Sequence, residues 1–198
     1  MFQFIETMKL FDGNIINIQY HQQRLQKTLE RFFGYVGIDL TDIPIPKEYQ
    51  SGIYKFRVVY DKQLGQISFE KYNKKLINYL ICVTANNLIY DYKYLDRSNI
   101  YEICKMLPED AEPIFVKNGF VTDSSYTNLV FESDDGFFTP DSPLLEGTKR
   151  AALLDSGLIK SIAININSLS RYNKVHLINS MNDLGESTYD IDKVILKK

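Results

Sequence analysis

Apolar and polar positions change period several times along this chain, and each change marks an element. Phe2 to Met8 reads as a strand, followed by a turn at Asp12-Gly13 and a short strand around Ile15 to Ile18. A helical period then takes over from about Tyr20 to Phe33, its inward face running through His21, Arg24 and Leu25, Thr28 and Phe32. Gly34 and Gly37 close that helix, as glycine past a helix end commonly does. Pro44 to Gln50 reads as one or two further helical turns. Period-two alternation returns in Ile53 to Tyr60 and Gln66 to Tyr72, a hairpin turning through Asp61 to Gly65, and Leu76 to Thr84 forms another apolar strand.

Asn86 to Ser98 interrupts the pattern and predicts a linker, dividing a smaller α+β N-terminal domain (1–87) from a larger, strand-rich C-terminal domain (88–198). Beyond it, Ile100, Ile103, Cys104 and Leu107 share one helical face, with Ser98 or Asn99 as cap. Strands are expected at Glu112 to Val116, Thr127 to Glu132 and Gly136 to Thr139, and a helix from Thr148 to Gly157. Ile159 to Ile166 alternates strictly, Val175 to Asn179 is a short apolar strand, and Ile191 to Leu196 is the final one. Repeats and low-complexity tracts are absent from the sequence.

Composition narrows the chemistry. The 198 residues suit one large domain or two small α/β domains, and 44% apolar with 24% charged residues is an ordinary globular profile. A net charge of −2 gives no basis for nucleic-acid binding. Two histidines and two cysteines, in no metal or haem spacing, predict no bound metal. The ten glycines contain no G-x-G pair and no G-K-[ST], which removes dinucleotide and P-loop fingerprints. Cys82 and Cys104 read as buried thiols of a reducing compartment. The first residues lack signal-peptide features, and no apolar run approaches the ~20 residues that span a bilayer, so a soluble cytoplasmic protein is expected. Lys, Tyr, Asp, Arg and Ser remain to carry any reaction.

Four constellations offer chemistry. Lys93 stands between Tyr92 and Tyr94 in the linker, where desolvation would make its amine a nucleophile toward carbonyls; a lysine in a polar loop is the plainer reading. Gly147-Thr148 opens a helix and offers backbone N–H groups to an anion, or merely caps the helix. Asp123 lies in a polar run, Gly119 to Leu129, that turn chemistry alone would explain. Arg24, on an inward face with His21, needs a partner: an anion or a structural carboxylate.

The order of these segments is more informative than any one of them. Phe4-Ile5-Glu6-Thr7, His21-x-x-Arg24-Leu25, Lys93-x-x-x-Arg97, Val121-Thr122-Asp123, Thr139-Pro140 with Leu145-x-Gly147-x-x-Arg150, and Asn179-Ser180 together resemble the fold type IV pyridoxal-phosphate enzymes over almost the whole chain. The resemblance implies a two-domain α+β architecture, shortened at its N-terminus relative to members with strands before the F-E-T segment. It implies pyridoxal 5'-phosphate as cofactor, with Lys93 as its aldimine-forming and proton-shuttling amine. Arg24, with the backbone of Thr148 and Lys149 and the Asn179-Ser180 segment, would hold the phosphate. Leu145 would pack on the pyridine ring, and Asp123 stands where the family usually has a glutamate on the pyridine nitrogen. Two departures are local: Lys62 to Gln66 replaces a loop rich in glycine and arginine, and Asp96 stands where Asn is common.

Lys93 to Arg97 is more similar to the K-x-L-N-R pattern of aminodeoxychorismate lyases than to the K-A-G-G-N form of branched-chain transaminases. That similarity implies elimination of pyruvate from a small amine substrate, 4-amino-4-deoxychorismate, to give the folate precursor 4-aminobenzoate. Arg57 and Arg97 are then candidates for the substrate carboxylates, with an exposed strand arginine as the alternative for Arg57. The competing expectations are a transaminase of D- or branched-chain amino acids and a non-catalytic ligand-binding homologue. Members of the family are usually homodimers, so a homodimer without nucleic-acid or membrane partners is expected.

Overall fold

The computed structural model describes residues 2–35 and 37–196. Its chain divides into two compact units. One runs to Lys74 and takes back Tyr92–Asp96; the other holds Lys75–Asp91 and the chain from Arg97 onward.

In the first unit, β1 (Phe4–Phe11) and β2 (Asn14–Ile15) form a hairpin, α1 spans Ile18–Phe33, and β3 (Ile53–Tyr60) and β4 (Leu64–Lys71) form a second hairpin. The antiparallel sheet has the order β2-β1-β3-β4. Asn17 (φ 57°) and Gly34 (φ 69°) bound α1 in the left-handed region, and the Gly34 N–H bonds back to Glu30 O. The helix buries His21, Leu25, Thr28 and Leu29. Against them pack Phe4, Met8 and Leu10 of β1 and Phe56, Val58 and Tyr60 of β3. Single 3-10 turns occupy Leu40–Asp42 and Lys47–Tyr49.

The second unit opens with β5 (Tyr79–Thr84) and α2 (Ser98–Lys105), then β6 (Ala111–Lys117), β7 (Phe120–Ser124), β8 (Asn128–Ser133) and β9 (Gly136–Pro140). There follow α3 (Thr148–Asp155), β10 (Lys160–Ile162), β11 (Lys174–Ile178), β12 (Thr188–Asp190) and β13 (Val194–Leu196). Its sheet runs β10-β9-β8-β7-β6-β5-β13, with β11 also paired to β8 and to β12. Leu80, Ile114, Val121, Leu129, Phe131, Val175 and Leu177 fill its core.

Several expectations need correction. A single boundary at 87/88 is not where the units divide, because β5 pairs in parallel with β6 and so belongs to the second unit. The polar run around Asp123 is a buried strand, β7, rather than a turn. The alternating segment from Ile159 is a strand for only three residues. Past Pro140 its partner β9 ends, and the backbone turns to β7 instead, with Val121 N–H donating to Ile164 O at 2.8 Å. Cys82 is buried and Cys104 half-buried; burial pushes the Cys82 thiol up to about 12, so it does not act as a nucleophile. Among the described residues no helix is long and apolar enough to cross a membrane.

Candidate functional site

Lys93 lies in the N-terminal unit beside the start of β1. Its carbonyl accepts from Ile5 N–H at 3.0 Å, and Leu95 N–H donates to Gln3 O at 2.8 Å. The tyrosines on either side anchor this backbone: Tyr94 packs on Phe4 (ring centroids 5.2 Å) and Tyr92 meets Phe32 edge-on (4.8 Å). A lysine between two half-buried aromatic anchors is held in place by its neighbours, so its amine is presented from a fixed backbone.

Close by is a buried charge cluster that sequence reasoning only half identified. Arg24 finds a structural carboxylate: its Nε donates to Glu6 Oε1 at 2.8 Å and its Nη2 to Oε2 at 2.6 Å. His21 Nδ1 is 2.6 Å from the same Oε2. Glu6 and His21 are both fully buried. Burial alone would push the Glu6 carboxyl up, but the Arg24 charge and the His21 and Arg24 hydrogen bonds outweigh it and hold it at about 2. An ionised carboxylate only accepts, so the proton between the two groups sits on His21 Nδ1. Burial lowers the His21 pKa, Glu6 works against that, and the positive charges of Arg24 and Lys93 add to the lowering. His21 is therefore neutral near pH 7. The missed residue is Glu6, and its signal was the strand phase: Phe4, Glu6, Met8 and Leu10 all lie on the α1 side of β1.

In the C-terminal unit, Asp123 is buried on β7. Its Oδ1 accepts from Asn128 Nδ2 and its Oδ2 from Leu145 N–H, each at 2.8 Å. Burial pushes its pKa up to about 6, against these hydrogen bonds and the nearby charge of Arg150. Leu145 thus brackets the carboxylate with its backbone, and its carbonyl accepts a second hydrogen bond from Asn128 Nδ2 at 2.8 Å. Two residues on, Gly147 precedes the first turn of α3, where Thr148, Lys149 and Arg150 are all buried. Lys149 pairs with Asp183, which ties α3 to the turn after β11. That turn is organised by Asn179, whose Oδ1 accepts from Met181 N–H at 2.8 Å and Asn182 N–H at 2.9 Å; Ser180 follows it, half-buried. Arg150 serves as a brace, donating to Pro140 O at 2.9 Å and Ser161 Oγ at 3.1 Å and so joining β9 to β10.

The two candidate substrate arginines belong to different units. Arg57, on β3 of the N-terminal unit, is half-buried rather than exposed. Arg97 belongs to the C-terminal unit, where it donates to Ser125 O and lies near the rings of Tyr90 (5.9 Å) and Tyr101 (5.4 Å). The Nε of each arginine is buried without an acceptor.

No family model matches this sequence. An uncharacterized protein from Haemophilus influenzae is 31% identical over 188 residues, spanning 93% of this chain and 100% of that protein. A solved structure from Haemophilus somnus, of a provisionally assigned 4-amino-4-deoxychorismate lyase, is 30% identical with a TM-score of 0.81, covering 93% of this chain and 98% of that one. The chain belongs to the fold type IV pyridoxal-phosphate enzymes. Across this family the fold is kept at much lower identity. A hypothetical aminotransferase from Mycobacterium tuberculosis, in its PLP-bound form, has a TM-score of 0.71 at 17% identity, covering 97% of this chain and 81% of that one.

The residues present fit the family's cofactor. Asp123 is a buried carboxylate whose anion gains from a cationic partner, which a protonated ring nitrogen would be. Gly147, at the start of α3, packs directly on the Asn128 amide, since a Cβ there would overlap Asn128 Oδ1. The first turn of α3 and the Asn179 turn are tied together by the Lys149–Asp183 pair.

Proposed function

We propose that this protein is a pyridoxal-phosphate-dependent 4-amino-4-deoxychorismate lyase, releasing pyruvate and forming 4-aminobenzoate. The observation that carries the choice of reaction is the 30% identity to the provisionally assigned lyase over nearly all of that chain. The Lys93-Tyr94-Leu95-Asp96-Arg97 segment agrees with it.

Pyridoxal phosphate, when bound, supplies an electron sink that stabilises negative charge beside an amine. The protein's own residues do the rest. Lys93 is the amine that holds the cofactor and then takes the proton from substrate C4. Loss of that proton lets the ether bond to the three-carbon unit break and the ring become aromatic. The departing enolate takes up a proton at its methylene carbon to become pyruvate. Asp123 keeps a proton on the pyridine nitrogen, and Leu145 packs on the ring. Arg24, the Thr148 and Lys149 backbone and the Asn179-Ser180 turn hold the phosphate. Arg57 and Arg97 each have a buried Nε hydrogen lacking an acceptor, the donor chemistry that substrate carboxylates satisfy. We further read the protein as a cytoplasmic homodimer without a nucleic-acid partner.

The test is to incubate the cofactor-loaded protein with 4-amino-4-deoxychorismate in the absence of any 2-oxo acid. Stoichiometric pyruvate and 4-aminobenzoate, abolished in Lys93→Ala, support the lyase. Turnover that begins only when a 2-oxo acid is added makes the protein a transaminase instead. A protein that shows no Lys93-dependent visible band with pyridoxal phosphate is a binding homologue. Light scattering gives the oligomeric state.

A further inference from the structure

Asn128 is the first residue of β8 and the register partner of Asp123 on β7. Both side chains are buried, at 7% and 4% exposure. The Asn128 amide nitrogen donates to Asp123 Oδ1 and to Leu145 O, while Leu145 N–H donates to Asp123 Oδ2, all at 2.8 Å. The three residues close a ring of hydrogen bonds around one carboxylate, which fixes both of its oxygens.

The same amide explains a glycine. Gly147 has φ −74° and ψ 144°, an extended backbone that any residue adopts. No conformational demand calls for glycine there. A Cβ at this position would overlap Asn128 Oδ1. The glycine therefore makes room for the amide, and α3 begins at the next residue. Asn128 in this way links the carboxylate on β7 to the start of α3, two places that would contact opposite ends of one ligand.

We propose that Asn128 is the positioning residue that holds Asp123 ionised and aimed, and that Gly147 is glycine to accommodate it. The proposal rests on the reading of Asp123 as the carboxylate on the cofactor's pyridine nitrogen. Asn128 itself touches no reacting atom; it acts through Asp123.

Two measurements test it. In the protein without cofactor, the Asp123 carboxyl is titrated by carbon NMR. Removing the Asn128 donor raises its protonation constant about tenfold in Asn128→Ala, because a hydrogen bond to the anion is lost. Binding of pyridoxal 5'-phosphate is then compared for wild type, Asn128→Ala, Asp123→Asn and the double variant. Asn128→Ala weakens binding about tenfold in the wild-type background and less than about twofold beside Asp123→Asn, because its effect passes through the carboxylate. Equal weakening in both backgrounds, or an unmoved Asp123 titration, overturns the proposal. If Asp123→Asn leaves binding unchanged, the reading of Asp123 itself is what falls, and the proposal falls with it. A third variant covers loss of folding. Gly147→Ala lowers Tm on its own, and adding Asn128→Ala makes the protein no less stable than Asn128→Ala alone. Additive losses in that pair overturn the account of the glycine.

Discussion

Glu6→Gln is the most direct probe of the N-terminal unit. The substitution keeps the size and one acceptor but removes the charge that Arg24 and His21 share. The carboxyl is held at about 2, against an ordinary 4.5, by the Arg24 charge and two side-chain partners acting against burial. At about 1.4 kcal/mol per tenfold, that difference corresponds to about 3 kcal/mol of folding free energy at neutral pH. Glu6 is fully buried, so solvent screening does not discount the figure. Removing one member of a buried ion pair generally costs about 3–5 kcal/mol, which agrees.

The pH dependence separates this mechanism from a simple packing defect. A depressed carboxyl contributes fully above its unfolded pKa of 4.5 and loses that contribution as pH falls toward about 2. At pH 3.5 about 2 kcal/mol of it remains. Urea denaturation of wild type and Glu6→Gln, followed by hydrogen exchange in β1 and β3, gives the gap at each pH. The expected gap is about 3 kcal/mol at pH 7, narrowing by about 1 kcal/mol at pH 3.5. A gap below about 1 kcal/mol at pH 7, or one unchanged at pH 3.5, would refute the assignment of that stability to the ionised Glu6.

Asp123 has the opposite sign. Its folded pKa is raised from an ordinary 3.8 to about 6, so its contribution is fully present below 3.8 and lost as pH rises through 6. The protein without cofactor gains about 2 kcal/mol relative to Asp123→Asn between pH 7.5 and 4.5, measured by urea denaturation; no gain would mean that the carboxyl is not desolvated. Arg150→Lys retains the charge but loses the fork that spans Pro140 O and Ser161 Oγ. It destabilises the C-terminal unit by about 2–4 kcal/mol in the same assay, since hydrogen bonds from a charged donor are involved.

How far the sequence could be read follows from how each element is stabilised. The inward face of α1 was legible because one helix packs one stripe against one sheet, and His21, Leu25 and Thr28 do lie on it. β7 was not, because Thr122, Asp123 and Ser124 look like turn residues. They are buried in a strand because each polar group has a local partner: Thr122 donates to Phe115 O at 3.0 Å, Ser124 lies 2.6 Å from Thr127 Oγ1, and Asp123 is clamped by Asn128 and Leu145. Phe115, Asn128 and Leu145 lie outside β7, where a local pattern does not reach. The same holds for the site. Arg24 was found as a residue needing a partner and Asp123 through the family resemblance, whereas the contacts that Glu6 and Asn128 make with them appear only once strand register places them.

The two buried carboxylates, one in each unit, are held in opposite ways. Glu6 and Asp123 are equally removed from water, yet one is held at about 2 and the other stands at about 6. Glu6 faces a guanidinium and an imidazole N–H, so its charge is neutralised within the fold and stays ionised at any working pH. Asp123 is faced by an amide and a backbone N–H, dipoles rather than a charge in contact, and titrates near neutrality. The first arrangement stabilises a fold. The second costs stability at neutral pH, and perturbed groups of that kind cluster at functional sites. Under the proposed function, Asp123 is the group whose energetics would change most when a protonated ring nitrogen is placed against it.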